Sequence, residues 1–219
     1  MKTRVASLTI LCLALAAIPA SAQQDLYDNG PINGTTDAWT INFGYIVSDT
    51  FTLLNSSTVG GFSFGVWEFS GDTLTSLGWS FTAGENGGTI FASGTASGNN
   101  LTDKFISSNQ YGYDIDKITV TGLNVGLNAT TYWLNLYNAA VPSGDPVFWD
   151  ENSGIGCGGD DGKGGGCPSE PSENALGTIA SEAFTITGTG GGTTPEPASA
   201  MLFGSGVVGL LAVLRRKLF

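Results

Sequence analysis

The sequence predicts an all-β protein, with one antiparallel, jelly-roll-like β-sandwich placed between an N-terminal signal peptide and a single C-terminal transmembrane helix. Short runs rich in Thr, Phe, Ile, Val, Trp and Tyr recur along the chain, and many alternate with a period of two. Clusters of Gly, Asn, Asp and Ser separate these runs, as expected for turns. No segment before Pro195 shows a helical period. Many short strands with regularly spaced turns favour a sandwich.

The predicted strands lie between residues 23 and 187, the range that we assign to the sandwich domain. No linker interrupts the series, so a second domain is not expected. The strands are residues 38–46 (AWTINFGYI), 49–54 (DTFTLL), 62–69 (FSFGVWEF), 74–81 (LTSLGWSF), 88–94 (GTIFASG), 116–122 (DKITVTG), 131–137 (TYWLNLY) and 181–188 (SEAFTITG). Residues 188–194 (GTGGGTT) form the predicted linker that follows.

The first 22 residues have the pattern of a secretory signal peptide. Lys2 and Arg4 precede an apolar stretch, and Ala20 and Ala22 occupy the small positions that signal peptidase requires. We therefore predict cleavage after Ala22, which leaves Gln23 as the first residue of the exported chain. The alternative is an uncleaved signal anchor, which the small-residue site disfavours.

The composition is acidic and agrees with export. The formal net charge is −11 at pH 7. Within residues 23–194 the basic side chains are Lys104, Lys117 and Lys163. A surface of this kind repels phosphate backbones, so we predict no nucleic-acid partner.

Two cysteines remain after the signal peptide, Cys157 and Cys167, within the sequence CGGDDGKGGGC. In an oxidising compartment such a pair is predicted to form a disulfide. A loop of this size contributes roughly 2–3 kcal/mol in the chain-entropy model. A metal or redox pair is the alternative, but the spacing is not C-x-x-C and the chain has no histidine to complete a zinc site.

The absence of histidine also excludes Ser-His-Asp and Cys-His catalytic sites and the H-E-x-x-H metalloprotease motif. A pair of carboxylates, as used in glycoside hydrolysis, remains the one open catalytic option. We expect no enzymatic activity, since acidic residues at strand ends are usually solvated or cap turns. The candidates for such a pair are Glu68, Asp72, Asp114, Asp116, Asp150 and Glu151.

Ligand binding is a further possibility in the segment GDPVFWDENSG, residues 144–154. Trp149 is a candidate for stacking on a sugar ring, although tryptophans at strand positions usually belong to the core. The nearby carboxylates are hard oxygen ligands that suit calcium, but their spacing matches no EF-hand. Those candidate ligands are Asp145, Asp150, Glu151, Asp160 and Asp161. An ice-binding face of T-x-T triplets is a third possibility, but the triplets are irregularly spaced.

Residues 195–219 form a three-part tail. Pro195, Glu196 and Pro197 come first, and residues 198–214 then form an uncharged predicted helix about 25 Å long. That length lies at the short end for a bilayer core of about 30 Å. Arg215, Arg216 and Lys217 follow and would keep the end of the chain in the cytoplasm by the positive-inside rule.

This tail resembles the PEP-CTERM sorting signal of Gram-negative bacteria, in which a Pro-Glu-Pro motif precedes one hydrophobic helix and an arginine-rich end. The resemblance implies transient anchoring in the inner membrane, processing by an exosortase, and delivery to the cell surface or extracellular matrix in association with exopolysaccharide or biofilm. The resulting hypothesis is a non-catalytic surface or matrix protein. The alternative is a carbohydrate-binding module that acts on exopolysaccharide, with calcium as a possible cofactor.

Overall fold

The computed structural model describes residues 23–152 and 172–190, and it is all-β over these ranges. The first half of the chain forms β1 (Gln24–Asp28), β2 (Ala38–Thr40), β3 (Ile46–Thr52), β4 (Ser57–Phe69), β5 (Ser76–Gly84), β6 (Gly87–Ser97) and a short 3₁₀ turn (Gly98–Asn100). The second half forms β7 (Leu101–Ser108), β8 (Tyr113–Val120), β9 (Val125–Leu127), β10 (Thr131–Ala140), β11 (Phe148–Asp150), β12 (Ser172–Glu173), β13 (Gly177–Thr178) and β14 (Phe184–Gly190).

The strands form two antiparallel sheets. Sheet A has eight strands, with the order β1-β14-β4-β11-β2, and β8 and β9 also pair with β4 while β7 pairs with β8. Sheet B has six strands in the order β13-β12-β3-β10-β5-β6. The long strand β4 is the centre of sheet A, because β14, β8, β9 and β11 all pair with it.

Aromatic side chains join the two sheets in one hydrophobic core. Phe62 of sheet A contacts Trp79 and Phe81 of sheet B, with ring centroids 6.0 and 6.2 Å apart. Tyr27 of sheet A and Phe51 of sheet B are also in contact, at 6.2 Å. The prediction of an all-β, antiparallel fold is therefore confirmed for the described residues, while the jelly-roll-like β-sandwich stays a prediction.

The predicted strand 38–46 is wrong in one respect, because the structure divides it into β2 and the start of β3. Phe43 and Gly44 have φ values of 56° and 89°, and Tyr45 N donates to Asn42 O across the resulting turn. Ile41 meanwhile donates its amide to Val147 O, away from the line of β3. A left-handed pair of residues of this kind cannot continue a strand.

The structure differs from the sequence prediction in two further respects, an additional strand and the end of the last strand. The edge strand β7 was not predicted, and most of its residues are exposed, so it lacks the alternating apolar pattern that marks a half-buried strand. At the other end of the domain, β14 continues to Gly190, so the first three residues of the predicted linker are strand. These residues pair with Val59, Thr58 and Ser57 of β4.

Candidate functional site

The core-facing side of sheet A changes from apolar to acidic at one end. Along β4, Phe64 and Val66 are fully buried, and Glu68 follows at the next position on the same face. The neighbouring strand β8 changes in the same way, because Ile118 lies opposite Phe64 and Asp116 lies opposite Val66. The hydrophobic pattern that builds the core therefore ends in carboxylates on both strands.

The third strand in this row, β7, adds a further carboxylate. Asp103 lies opposite Ile118, and Phe105 lies opposite Asp116, so Asp103 shares the face of the other acids. Glu68, Asp103 and Asp116 each place a carboxylate oxygen within 4.8 Å of the other two. We call these three residues the carboxylate cluster.

Two members of the carboxylate cluster have buried oxygen atoms that accept no hydrogen bond. The Glu68 side chain is 0% exposed, and neither of its carboxylate oxygens accepts a hydrogen bond. Asp116 is 4% exposed, and its Oδ1 also has no partner. Asp103 differs, because its Oδ2 accepts a hydrogen bond from Leu74 N at 2.6 Å. That bond favours the charged form and opposes the rise in the pKa of Asp103 that burial causes.

Burial and mutual repulsion raise the pKa values of the other two acids. Burial raises the pKa of Glu68 to about 8, with further contributions from the charges of Asp103, Asp116, Asp72 and Asp114. Burial also raises the pKa of Asp116 to about 6, assisted by Asp103 and Asp114. At neutral pH, Glu68 therefore keeps its proton unless a bound cation compensates the negative charge of the cluster.

This arrangement suits a bound cation better than glycoside hydrolysis. Carboxylate oxygens are hard ligands, and three of them converge here. In hydrolysis, by contrast, a catalytic carboxyl group must contact the glycosidic oxygen. Glu68 is fully buried, so a sugar cannot reach it in this conformation. Glu68 and Asp116 were both predicted as carboxylate candidates, but Asp103 was missed because β7 itself was not predicted.

Asp150, one of the predicted calcium ligands, has hydrogen-bond partners of its own. Asp150 is fully buried, and its carboxylate accepts hydrogen bonds from Trp67 Nε1 at 2.6 Å, Asn33 N at 2.9 Å and Gly34 N at 3.0 Å. Burial raises the pKa of Asp150, and these hydrogen bonds lower it. Within residues 23–152 and 172–190, the metal-type groupings do not include Asp145, Asp150 or Glu151. Asp160 and Asp161 lie outside the described residues.

A second buried carboxylate, Glu182, lies close to this region. It is 0% exposed, and both of its carboxylate oxygens lack a hydrogen-bond partner. Burial raises its pKa well above the ordinary value. The charges that raise it further belong to Asp49, Glu151, Asp150 and Asp37. Sequence reasoning did not identify Glu182, because its burial depends on strands that are distant in the sequence.

Trp149 is a core residue, which corrects the prediction that it stacks on a glycan. Its side chain is 0% exposed, and its Nε1 donates a hydrogen bond to Ala183 O at 3.1 Å. Phe64 and Phe184 pack edge-on against its ring, with centroids 5.9 and 5.7 Å away. No face of the indole is free to meet a sugar, so the core alternative holds for this residue.

Another aromatic pair does lie at the surface. A cleft of about 350 Å³ is lined by Trp39, Tyr45 and Leu176, together with Glu173. Tyr45 and Leu176 are 43% and 64% exposed. The Trp39 Nε1 and Glu173 Oε1 atoms are buried and have no hydrogen-bond partner, so the part of the cleft that a ligand can touch includes the exposed Tyr45 and Leu176 side chains.

Comparison with known proteins concerns the end of the chain. The family model described as the PEP-CTERM protein-sorting motif matches residues 193–217. This chain carries a PEP-CTERM sorting motif. The predicted recognition of the tail is thereby confirmed, and the match includes Pro195, Glu196, Pro197 and the basic residues that end at Lys217. No curated protein matches the chain.

The PEP-CTERM motif implies export, sorting to the cell surface or beyond it, and processing by an exosortase. Several predictions lie outside the described residues: the Ala20 and Ala22 positions of the signal-peptide cleavage site, the Cys157–Cys167 disulfide, and the helix at residues 198–214. The described residues begin at Gln23, and cleavage after Ala22 stays a prediction. Over residues 23–152 and 172–190, no helix is long and apolar enough to cross a bilayer.

Proposed function

We propose that this PEP-CTERM protein is a non-catalytic component of the cell surface or the exopolysaccharide matrix of a Gram-negative bacterium. In this proposal, signal peptidase cleaves after Ala22, and the helix at 198–214 holds the chain in the inner membrane until an exosortase acts. The exported β-sandwich then remains at the surface or in the biofilm matrix. The sorting motif at residues 193–217 is the observation that carries the proposal.

The folded domain supports a structural role. Its core is built by two sheets with extensive aromatic contacts, and the buried Glu68 leaves the carboxylate cluster closed to a polymeric substrate. The sequence has no histidine, which removes the commonest general base. A disulfide between Cys157 and Cys167 would add stability outside the cell, and non-reducing peptide mass analysis would detect it.

The proposal is tested by the intact mass of the protein recovered from the surface of its host. We expect the surface form to lack residues 198–219 in a strain with an active exosortase and to remain full length in the inner membrane when the exosortase gene is deleted. Replacing Pro195, Glu196 and Pro197 with alanine should leave export intact but trap the full-length form, because two prolines keep the cleavage segment extended.

A control variant with Gly191 and Gly192 changed to alanine, outside the matched residues 193–217, should be processed like the wild type. Recovery of Phe219 in the surface form of the wild-type protein would contradict the proposal, because the tail would then be a permanent anchor. Absence of the processed domain from the exopolysaccharide fraction would contradict the matrix assignment and leave the sorting assignment intact.

A second candidate function, carbohydrate binding, is favoured by the cleft between Trp39 and Tyr45. Aromatic side chains with an apolar face and a polar edge suit sugar rings, and the exposed Tyr45 ring lines this cleft. Binding of the host exopolysaccharide should fall at least tenfold in Tyr45→Ala. The control Tyr111→Ala removes an exposed tyrosine outside the cleft and should bind normally. Equal binding by both variants would exclude the cleft.

A further inference from the structure

The carboxylate cluster differs from the surface carboxylates near it because several of its oxygen atoms are buried and accept no hydrogen bond. Surface carboxylates nearby are paired: Asp72 Oδ2 accepts a hydrogen bond from Ser143 Oγ at 2.6 Å, and Asp114 Oδ1 accepts one from Ser108 Oγ at 2.7 Å. Glu68 has neither solvent nor any donor on either oxygen. A buried, unpartnered carboxylate costs free energy unless it is protonated or bound to a cation.

Within residues 23–152 and 172–190, no basic side chain lies on this face of the sheet. Among the described residues, the basic side chains are Lys104 and Lys117, and both belong to the strands that carry the cluster. Each directly follows a cluster aspartate, and successive side chains of a strand point to opposite faces. The two lysines lie opposite one another in the β7–β8 register. They are therefore on the outer side of the sheet, and the cluster faces inward without them.

The spacing of the oxygen atoms matches a shared ion. Calcium binds oxygen ligands at about 2.3–2.6 Å, so two ligands of one ion lie at most about 5 Å apart. The three cluster oxygens are all within 4.8 Å of one another. We propose that Glu68, Asp103 and Asp116 bind a divalent cation, calcium being the ion whose ligand distances and tolerance of irregular geometry suit them. This site is separate from the segment around Asp150 that the sequence suggested.

Such an ion would connect four parts of the fold. Glu68, Asp116 and Asp103 come from the adjacent strands β4, β8 and β7, of which β7 is the edge of the sheet. Asp103 also accepts the hydrogen bond from Leu74 N, in the loop that leads from sheet A to sheet B. Bound calcium would therefore hold the edge strand and this loop against the centre of sheet A.

The test compares the purified, exported protein in excess EGTA and in calcium chloride. Calcium at 100 times its dissociation constant should raise the melting temperature by roughly 5–10 °C for a domain of this size. Extracellular calcium modules bind at about 10⁻⁴–10⁻³ M, so titration calorimetry should cover that range and yield one site. Amides of β7 should exchange more slowly with deuterium in calcium than in EGTA.

Two substitutions in the carboxylate cluster test whether calcium binds there. Glu68→Gln and Asp116→Asn should each abolish the calcium-dependent rise, and both should fold in EGTA because each removes a buried charge that lacks a partner. Glu85→Gln, in the exposed β5–β6 turn, is the matched control and should keep the full rise. A wild-type protein that neither binds calcium nor changes its melting temperature would overturn the proposal. A full rise retained in Glu68→Gln would overturn it equally, because calcium would then bind elsewhere, as in the segment containing Asp160 and Asp161.

Discussion

Replacing Asp150 with alanine should destabilise the fold by on the order of 4 kcal/mol. Asp150 accepts hydrogen bonds from Trp67 Nε1 and from the backbone amides of Asn33 and Gly34. A buried donor that loses its acceptor costs about 1–3 kcal/mol. The Trp67 and Gly34 donors are buried, and together they account for about 2–6 kcal/mol, whereas the partly exposed Asn33 amide can turn to water.

The assay is urea denaturation at 25 °C in a double-mutant cycle with Trp67→Phe. Asp150→Asn keeps one acceptor oxygen and should lose about half as much stability as Asp150→Ala. The cycle should give a coupling of about 1–3 kcal/mol between Trp67 and Asp150, since one direct bond joins them. A loss below about 1 kcal/mol in Asp150→Ala would refute the reasoning. A loss that appears only with calcium present would instead make Asp150 a metal ligand.

Two further predictions concern the core and the buried acids. Phe62→Ala should cost about 3–5 kcal/mol, because Phe62 is fully buried between the sheets, whereas Ile90→Ala, at a residue 63% exposed, should change stability by less than about 0.5 kcal/mol. Equal urea midpoints for the two variants would contradict the shared core. Glu182 has a raised pKa in the folded state, so it retains a proton that the unfolded chain releases, and its contribution to stability falls as pH rises above the ordinary glutamate value. Glu182→Gln should therefore flatten the decline in stability between pH 5 and pH 8 in EGTA, and an unchanged slope would be evidence against this assignment.

The sequence predicts the strands whose side chains alternate between the core and the opposite face of the sheet. Residues 62–66 and 132–136 carry large aromatic or aliphatic side chains at every second position, and they lie within the long strands β4 and β10. The short or exposed strands, such as β7 and β9, were not predicted because hydrogen bonding to a neighbour, rather than burial, defines them. The turn at Phe43 was hidden for another reason, since a non-glycine residue with positive φ leaves little local signal.

The candidate site could not be predicted from any single strand, because the pairing of neighbouring strands brings its residues together. Glu68 and Asp116 were visible as acids at strand ends, but their burial follows from the register between β4 and β8. Asp103 joins them because of the register between β8 and β7. Trp149 illustrates the same limit, because the loop-like residues around it suggested exposure, whereas β11 places it against Phe64 and Phe184. Register is a tertiary property, and it decides which side chains meet.

The position of β14 in sheet A determines how the domain resists a mechanical force applied at the C-terminal end of this strand. β14 ends at Gly190 and the sorting motif follows it in the sequence, so a force from an attachment at the tail enters the described domain at the end of this strand. Because β14 is hydrogen-bonded to β1 on one side and β4 on the other, both rows of bonds resist sliding together. Gly190 lies opposite Ser57, at the other end of β4 from Glu68, roughly 35 Å away at the usual rise per residue. A tether at the tail would thus load the end of β4 that is opposite to the carboxylate cluster, and the cluster would lie far from the point where the force enters.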